Sequence, residues 1–179
     1  MITNILNAIT LSRILCAILI YLCLYLKSQY LIALILFFIA SFSDFLDGYI
    51  ARKTNSESIL GEILDPIADK LLIVFVLIGL SVNLDSFLIG FISAVIISRE
   101  IWVAALRDIN SRNNRSEKTK VTFLAKTKTA IQMLAILMYL FGLTLNNMMV
   151  LFFADIVLII ALFVTIQTGF QYTISTFKK

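Results

Sequence analysis

The stretch YLIALILFFIASFSDFLDGYIAR, residues 30–52, decides the fold. It begins as an uncharged apolar run and closes on Asp44, Asp47 and Arg52. About 20 such residues are enough to cross the hydrocarbon core of a bilayer. Five more segments have the same character, giving six in all, at residues 10–26, 30–50, 67–84, 87–105, 127–145 and 148–167. Composition agrees. Of 179 residues, 60% are hydrophobic and 15% charged, against roughly 45–50% and about 25% in a soluble domain. A small soluble core cannot hide that much apolar surface. One Pro and six Gly exclude a collagen-like or Pro-rich disordered chain. The expected fold is an all-α integral membrane protein, with six transmembrane helices in a single domain over residues 1–179.

Charge fixes the expected orientation. With six spans, both chain ends share a side. That side receives Arg52, Lys53, the basic cluster at 107–128, and Lys178 and Lys179, whereas Lys27 is the only one of 15 basic residues on the other. The positive-inside rule places the rich side, and both termini, in the cytoplasm. No basic stretch precedes the first apolar run and no small-residue cleavage site follows it, so a cleavable leader is not expected. Cys16 and Cys23 are seven residues apart, about 10 Å along a helix, too far for a disulfide. The chain has no histidine, which excludes a histidine-based metal site or triad.

The polar residues inside the spans are not scattered. Asn7, Thr10 and Arg13 open the first, Asp44 and Asp47 lie near the end of the second, Asp69 and Lys70 at the start of the third, Arg99 and Glu100 near the end of the fourth, and Lys126 and Lys128 before the fifth. All fall on the cytoplasmic half. Charge within a bilayer costs roughly 2.5–3.5 kcal/mol per central residue and faces a cavity or a partner. These residues therefore point to one polar cavity open to the cytoplasm. For Lys70 and Lys53, reach to the headgroups is the competing reading; short aspartate side chains cannot reach so far.

Asp44 and Asp47 are three residues apart and Asp65 and Asp69 four apart, so each pair shares a helix face. Four facing carboxylates cannot all remain ionised in a partly desolvated site without cations. Hard divalent ions resolve this, since Mg²⁺ prefers oxygen ligands and shares its shell with phosphates. Two such ions about 3.5–4 Å apart clamp both oxygens of a phosphoryl displacement, and Arg52 offers a planar fork to a phosphate. Simpler readings stand beside this one. Asp65 before Pro66 fits an N-cap with Pro at the first helical position, Asp47 and Arg52 fit an ion pair, and Asp44 fits an isolated buried acid.

The pattern D-x2-D-G-x2-A-R-x8-G-x3-D-x3-D, carried by Asp44, Asp47, Gly48, Ala51, Arg52, Gly61, Asp65 and Asp69, resembles the signature of the CDP-alcohol phosphatidyltransferases, and the resemblance extends over the whole chain. It implies that Asp44, Asp47, Asp65 and Asp69 bind two divalent ions, Mg²⁺ or Mn²⁺, with Asp44 and Asp65 bridging both. It implies Asp69 as general base, and Gly48, Ala51, Arg52, Ser58 and Gly61, with the segment Asn7-Ala8-Ile9-Thr10, as contacts of the CDP-diacylglycerol. It further implies a homodimer, and no nucleic-acid partner is expected.

The second half bears on the acceptor. Ser98-Arg99-Glu100-Ile101, Ala105-Leu106-Arg107 and Lys126-Thr127-Lys128-Thr129-Ala130-Ile131-Gln132-Met133 resemble the phosphatidylglycerophosphate synthase branch, whose acceptor is sn-glycerol 3-phosphate; Ala125 stands where that branch has Gly. Leu64 to Lys70 fits the same branch. Physical chemistry points the same way. Arg99, Arg107, Lys126 and Lys128 sit at the cytoplasmic ends of two consecutive spans, with Arg99 about 12 Å of helix deeper than Arg107. Glu100 is adjacent to Arg99 and is expected to point elsewhere, leaving a substrate phosphate as partner. The competing partners of Arg99 are a metal-site carboxylate or a headgroup, and the basic loop also suits anionic lipid. Serine or an inositol phosphate as acceptor, a cation- or proton-coupled transporter, and a non-catalytic scaffold are the alternatives. Asp155, on the far side, has no assigned role.

Overall fold

The computed structural model describes the backbone of residues 2–27, 29–54, 59–113, 117 and 123–178, and the side chains of 7–27, 29–43, 61, 63–113, 117 and 127–178. The described residues form six helices and no strand: α1 (Ile2–Tyr25), α2 (Tyr30–Thr54), α3 (Ile59–Asn83), α4 (Phe87–Arg112), α5 (Phe123–Leu145) and α6 (Met148–Phe177). Among the described residues four stretches are long and apolar enough to cross a membrane, Asn7–Tyr25, Phe87–Arg112, Thr127–Leu145 and Met148–Phe177, and Tyr30–Ser43 is a shorter apolar helix.

α1 packs on α3 and α2, α5 on α6 and α2, and α4 on α6 and α3. Side-chain pairs give the directions. Thr10 meets Asp65, Arg13 meets Asp69, and the Leu24 carbonyl accepts from Asn83 Nδ2 at 2.6 Å, so α1 and α3 run parallel. Arg99 meets Thr168, Trp102 meets Thr173 and Asn110 meets Thr176, so α4 and α6 run parallel. α5 runs against α6, joined by Gln132 to Thr165 and Tyr139 to Asp155. Both chain ends therefore lie at the end of the bundle that carries Asp65, Asp69 and Arg99. Tight turns close the opposite end, and each holds one residue in left-handed backbone: Lys27, Asp85 and Asn146, at φ of 54°, 47° and 49°. Two of the helices that follow are capped, α4 by Ser86 and α6 by Asn147, whose side-chain oxygens accept backbone N–H groups otherwise left unpaired.

The bundle has an apolar core that also encloses a set of polar side chains, and its exterior is apolar. Ala17, Ile20, Leu24, Leu72, Val76, Leu80, Ile136, Tyr139 and Leu158 fill a shared core, and Gly79 lets α1 approach α3, since a Cβ there would lie 3.0 Å from Leu24 Cδ1. Thr10, Arg13, Asn83, Lys128, Gln132, Thr165 and Thr168 are buried as well. Outward stand Leu15, Leu22, Phe38, Phe42, Phe152, Phe163 and Phe170. Hydrocarbon, not water, suits such an exterior.

The helices outrun the apolar segments read from sequence. α3 starts at Ile59, eight residues before the expected 67, and Pro66 lies inside it. Asp65 is thus not an N-cap. Proline's fixed φ suits a helix, and the missing N–H removes one backbone bond, while Thr10 and Arg13 hold the carboxylates on either side of the site. α4 continues past 105 to Arg112, and α6 past 167 to Phe177. Cys16 and Cys23 are both free thiols.

Candidate active site

Two neighbouring groups of side chains form the site. The first joins α1 to α3. Thr10 Oγ1 donates to Asp65 Oδ1 at 2.7 Å, and Arg13 Nη1 donates to Asp69 Oδ1 at 2.7 Å. Spacings of three on α1 and four on α3 put both pairs on facing stripes. The Arg13 side chain is fully buried, whereas that of Asp69 keeps 34% of its surface exposed. A buried guanidinium requires an anion, and here it fixes a carboxylate that still faces a cavity. Asn7 and Ile9 are half-buried, Ala8 is exposed, and Gly61 is half-buried one turn before Asp65.

Asp65 and Asp69 are oxygen donors of the kind a hard divalent ion takes. Among the described residues no group of three or more potential ligands occurs. α2 carries Asp44, Asp47, Gly48, Ala51 and Arg52 in its last three turns, but their side chains, that of Lys126 on α5, and Ser58 lie outside the described residues.

The second group lines a cavity of about 400 Å³ between α3, α4 and α5. Asp69 and Lys70 line it from α3, Arg99, Glu100 and Arg107 from α4, and Lys128 from α5. The cavity therefore holds the proposed base and three of the four residues expected at the acceptor phosphate. Among the described residues its lining carries four cations and two anions. Lys70 lies at this cavity rather than away from it. Arg99 is deep, with a side chain 9% exposed, and Arg107 is exposed, the order expected from their spacing.

Arg99 corrects one expectation. Its Nη1 donates to Glu100 Oε1 at 2.9 Å, although the two are adjacent in sequence. Neighbours leave a helix in different directions, but long side chains can bend together, and Lys128 Nζ meets the same Glu100 oxygen. Arg99 Nη2 also donates to Thr168 Oγ1 at 3.0 Å, while its Nε is buried with no hydrogen-bond partner among the described residues. A buried donor of this kind is costly and suits an incoming anion.

Sequence reasoning missed the α6 side of the site. Thr168 binds Arg99, Gly169 leaves space for it (a Cβ would lie 3.1 Å from Arg99 Cγ), and Tyr172 faces both Arg99 and Arg107. The signal was present: Thr165, Thr168, Tyr172 and Thr176 recur at helical spacing on one face. Asp155 finds its partner in the Tyr139 hydroxyl, joining α6 to α5 at the far end from the cavity.

A family model of the CDP-alcohol phosphatidyltransferases matches residues 3–167. A protein of Rickettsia bellii is 40% identical over 172 residues, covering 94% of this chain and 93% of its own. One of Haemophilus influenzae is 37% identical over 148 residues, covering 82% and 77%. One of Rickettsia felis is 37% identical over 174 residues, covering 94% and 93%. Each of the three is named CDP-diacylglycerol–glycerol-3-phosphate 3-phosphatidyltransferase.

Proposed function

The chain belongs to the CDP-alcohol phosphatidyltransferase family, and on that premise we propose that it transfers the phosphatidyl group of CDP-diacylglycerol to sn-glycerol 3-phosphate, releasing CMP. It is a transferase and a membrane protein. The observation that carries the acceptor assignment is the cavity, where Asp69 faces Arg99, Arg107 and Lys128 across a single space. A phosphorylated alcohol, carrying up to two negative charges, suits such a lining; free serine is a zwitterion whose single carboxylate is offset by its own ammonium, and it matches three cations less well.

Asp44, Asp47, Asp65 and Asp69 would hold two divalent ions, Mg²⁺ or Mn²⁺, which when bound supply positive charge to the pyrophosphate and to the leaving CMP. Thr10 and Arg13 orient Asp65 and Asp69 for that task. Asn7 to Thr10, Gly48, Ala51, Arg52, Ser58 and Gly61 bind the nucleotide, while the acyl chains stay in lipid. Arg99, Arg107, Lys126 and Lys128 hold the acceptor phosphate. That fixes the sn-1 hydroxyl toward Asp69, which accepts its proton as the oxygen bonds to the phosphatidyl phosphorus and the bond to CMP breaks. Positioning and charge stabilisation supply most of the rate.

Residues 1–179 act as one domain in this reading, both termini and the cavity face the cytoplasm by the positive-inside rule, and the chain works as a homodimer. The test is an acceptor panel with purified full-length protein, CDP-diacylglycerol and Mg²⁺ or Mn²⁺. CMP release that depends on sn-glycerol 3-phosphate, and not on serine or an inositol phosphate, is expected. Release with another acceptor in its place contradicts the assignment.

A further inference from the structure

The part of α6 beyond the apolar segment, residues 168–177, adds a device to the acceptor site. Tyr172 is 3% exposed and packs with Val103 and Leu106 of α4 in a small cluster of its own. The Cζ atoms of Arg99 and Arg107 both lie 5.6 Å from the centre of its ring. Two like charges that repel each other thus share one aromatic face system, whose quadrupole attracts both. Thr168, one turn earlier, holds Arg99 by its hydroxyl, and Gly169 has no Cβ to displace it. Trp102 to Thr173 and Asn110 to Thr176 join this stretch of α6 to α4.

We infer that Tyr172 is a positioning residue for the acceptor: its buried ring holds Arg99 and Arg107 apart and aimed as a pair at the phosphate of the incoming alcohol. Tyr172 does not line the cavity and touches no reacting atom; it acts through the two guanidinium groups. The inference rests on the acceptor reading above, and the ring, not the hydroxyl, carries it.

Steady-state kinetics of the full-length protein test it. Tyr172→Phe is expected to keep the KM for sn-glycerol 3-phosphate. Tyr172→Leu is expected to raise that KM about tenfold, the scale of a desolvated cation–π contact, with the KM for CDP-diacylglycerol unchanged and kcat within roughly twofold. Should the leucine variant fail to fold, incorporation of a fluorinated phenylalanine at position 172 keeps the ring's shape while withdrawing its quadrupole. A rise in acceptor KM with fluorine content is then expected, which a purely structural role would not produce. Equal effects on both substrates, or a fluorinated ring indistinguishable from phenylalanine, would overturn the inference. Arg99→Ala and Arg107→Ala run alongside. If they raise the acceptor KM and the ring variants do not, this inference alone falls. If they leave it unchanged, the acceptor reading falls and takes the inference with it.

Discussion

Asp69 is the residue on which the proposed chemistry turns, and Arg13 determines what can stand there instead. Asparagine keeps an oxygen to accept from Arg13 Nη1, so the geometry of the α1–α3 contact is kept, but the buried guanidinium loses its counter-charge and a lower thermal midpoint accompanies the loss of the base. Asp69→Asn is therefore expected to abolish CMP release, at least about a hundredfold on the scale of general-base loss, with an unchanged helical spectrum and elution profile. Substantial turnover in that variant would remove Asp69 from its role. At this scale the sequence was readable where side chains are short. The spacings of Asp44, Asp47, Asp65 and Asp69 imply shared faces regardless of rotamer. Arg99 and Glu100 were not readable, because several rotatable bonds let neighbours meet despite their different starting directions.

Among the elements, α1 against α3 is the contact that holds the carboxylate face in register, and Gly79 sets how close they come. A Cβ at that position would lie 3.0 Å from Leu24 Cδ1 and 3.3 Å from Tyr21 Cδ2. Gly79→Val is expected to destabilise the bundle by about 1–3 kcal/mol, the usual cost of overpacking, read as a lower thermal midpoint in detergent. An unchanged midpoint would show that the helices separate freely there. The number and order of the helices were legible from apolarity alone. Their ends were not, since hydropathy stops where a helix turns polar, whatever the backbone does next. The first two turns of α3 and the last ten residues of α6 were lost in this way. The second loss mattered, because Thr168, Gly169 and Tyr172 lie in it.

For the whole molecule, polar groups within and phenylalanines without describe a bundle whose exterior belongs in lipid and whose interior opens at one end. Four carboxylates at that end, as proposed, would repel one another unless cations intervene. Mg²⁺ or Mn²⁺ is accordingly expected to stabilise the folded protein by mass action, by about 2.7 kcal/mol at a hundredfold excess over Kd, and chelation to lower the thermal midpoint. A midpoint indifferent to both would argue that the acids are balanced within the protein. The proposed sidedness rests on charge placement, since 14 of the 15 basic residues were assigned to one side. A polar cavity was expected from the clustered polar residues; which helices line it was not readable, because that depends on how α3, α4 and α5 diverge.

The central claim, that these four aspartates hold a pair of divalent ions against a lipid-linked nucleotide, is tested most directly by anomalous diffraction from crystals grown with Mn²⁺ and CDP-diacylglycerol. Two peaks are expected, each about 2 Å from carboxylate oxygens of Asp44, Asp47, Asp65 and Asp69. Well-ordered aspartates turned to other neighbours, with no anomalous signal beside them, would contradict it.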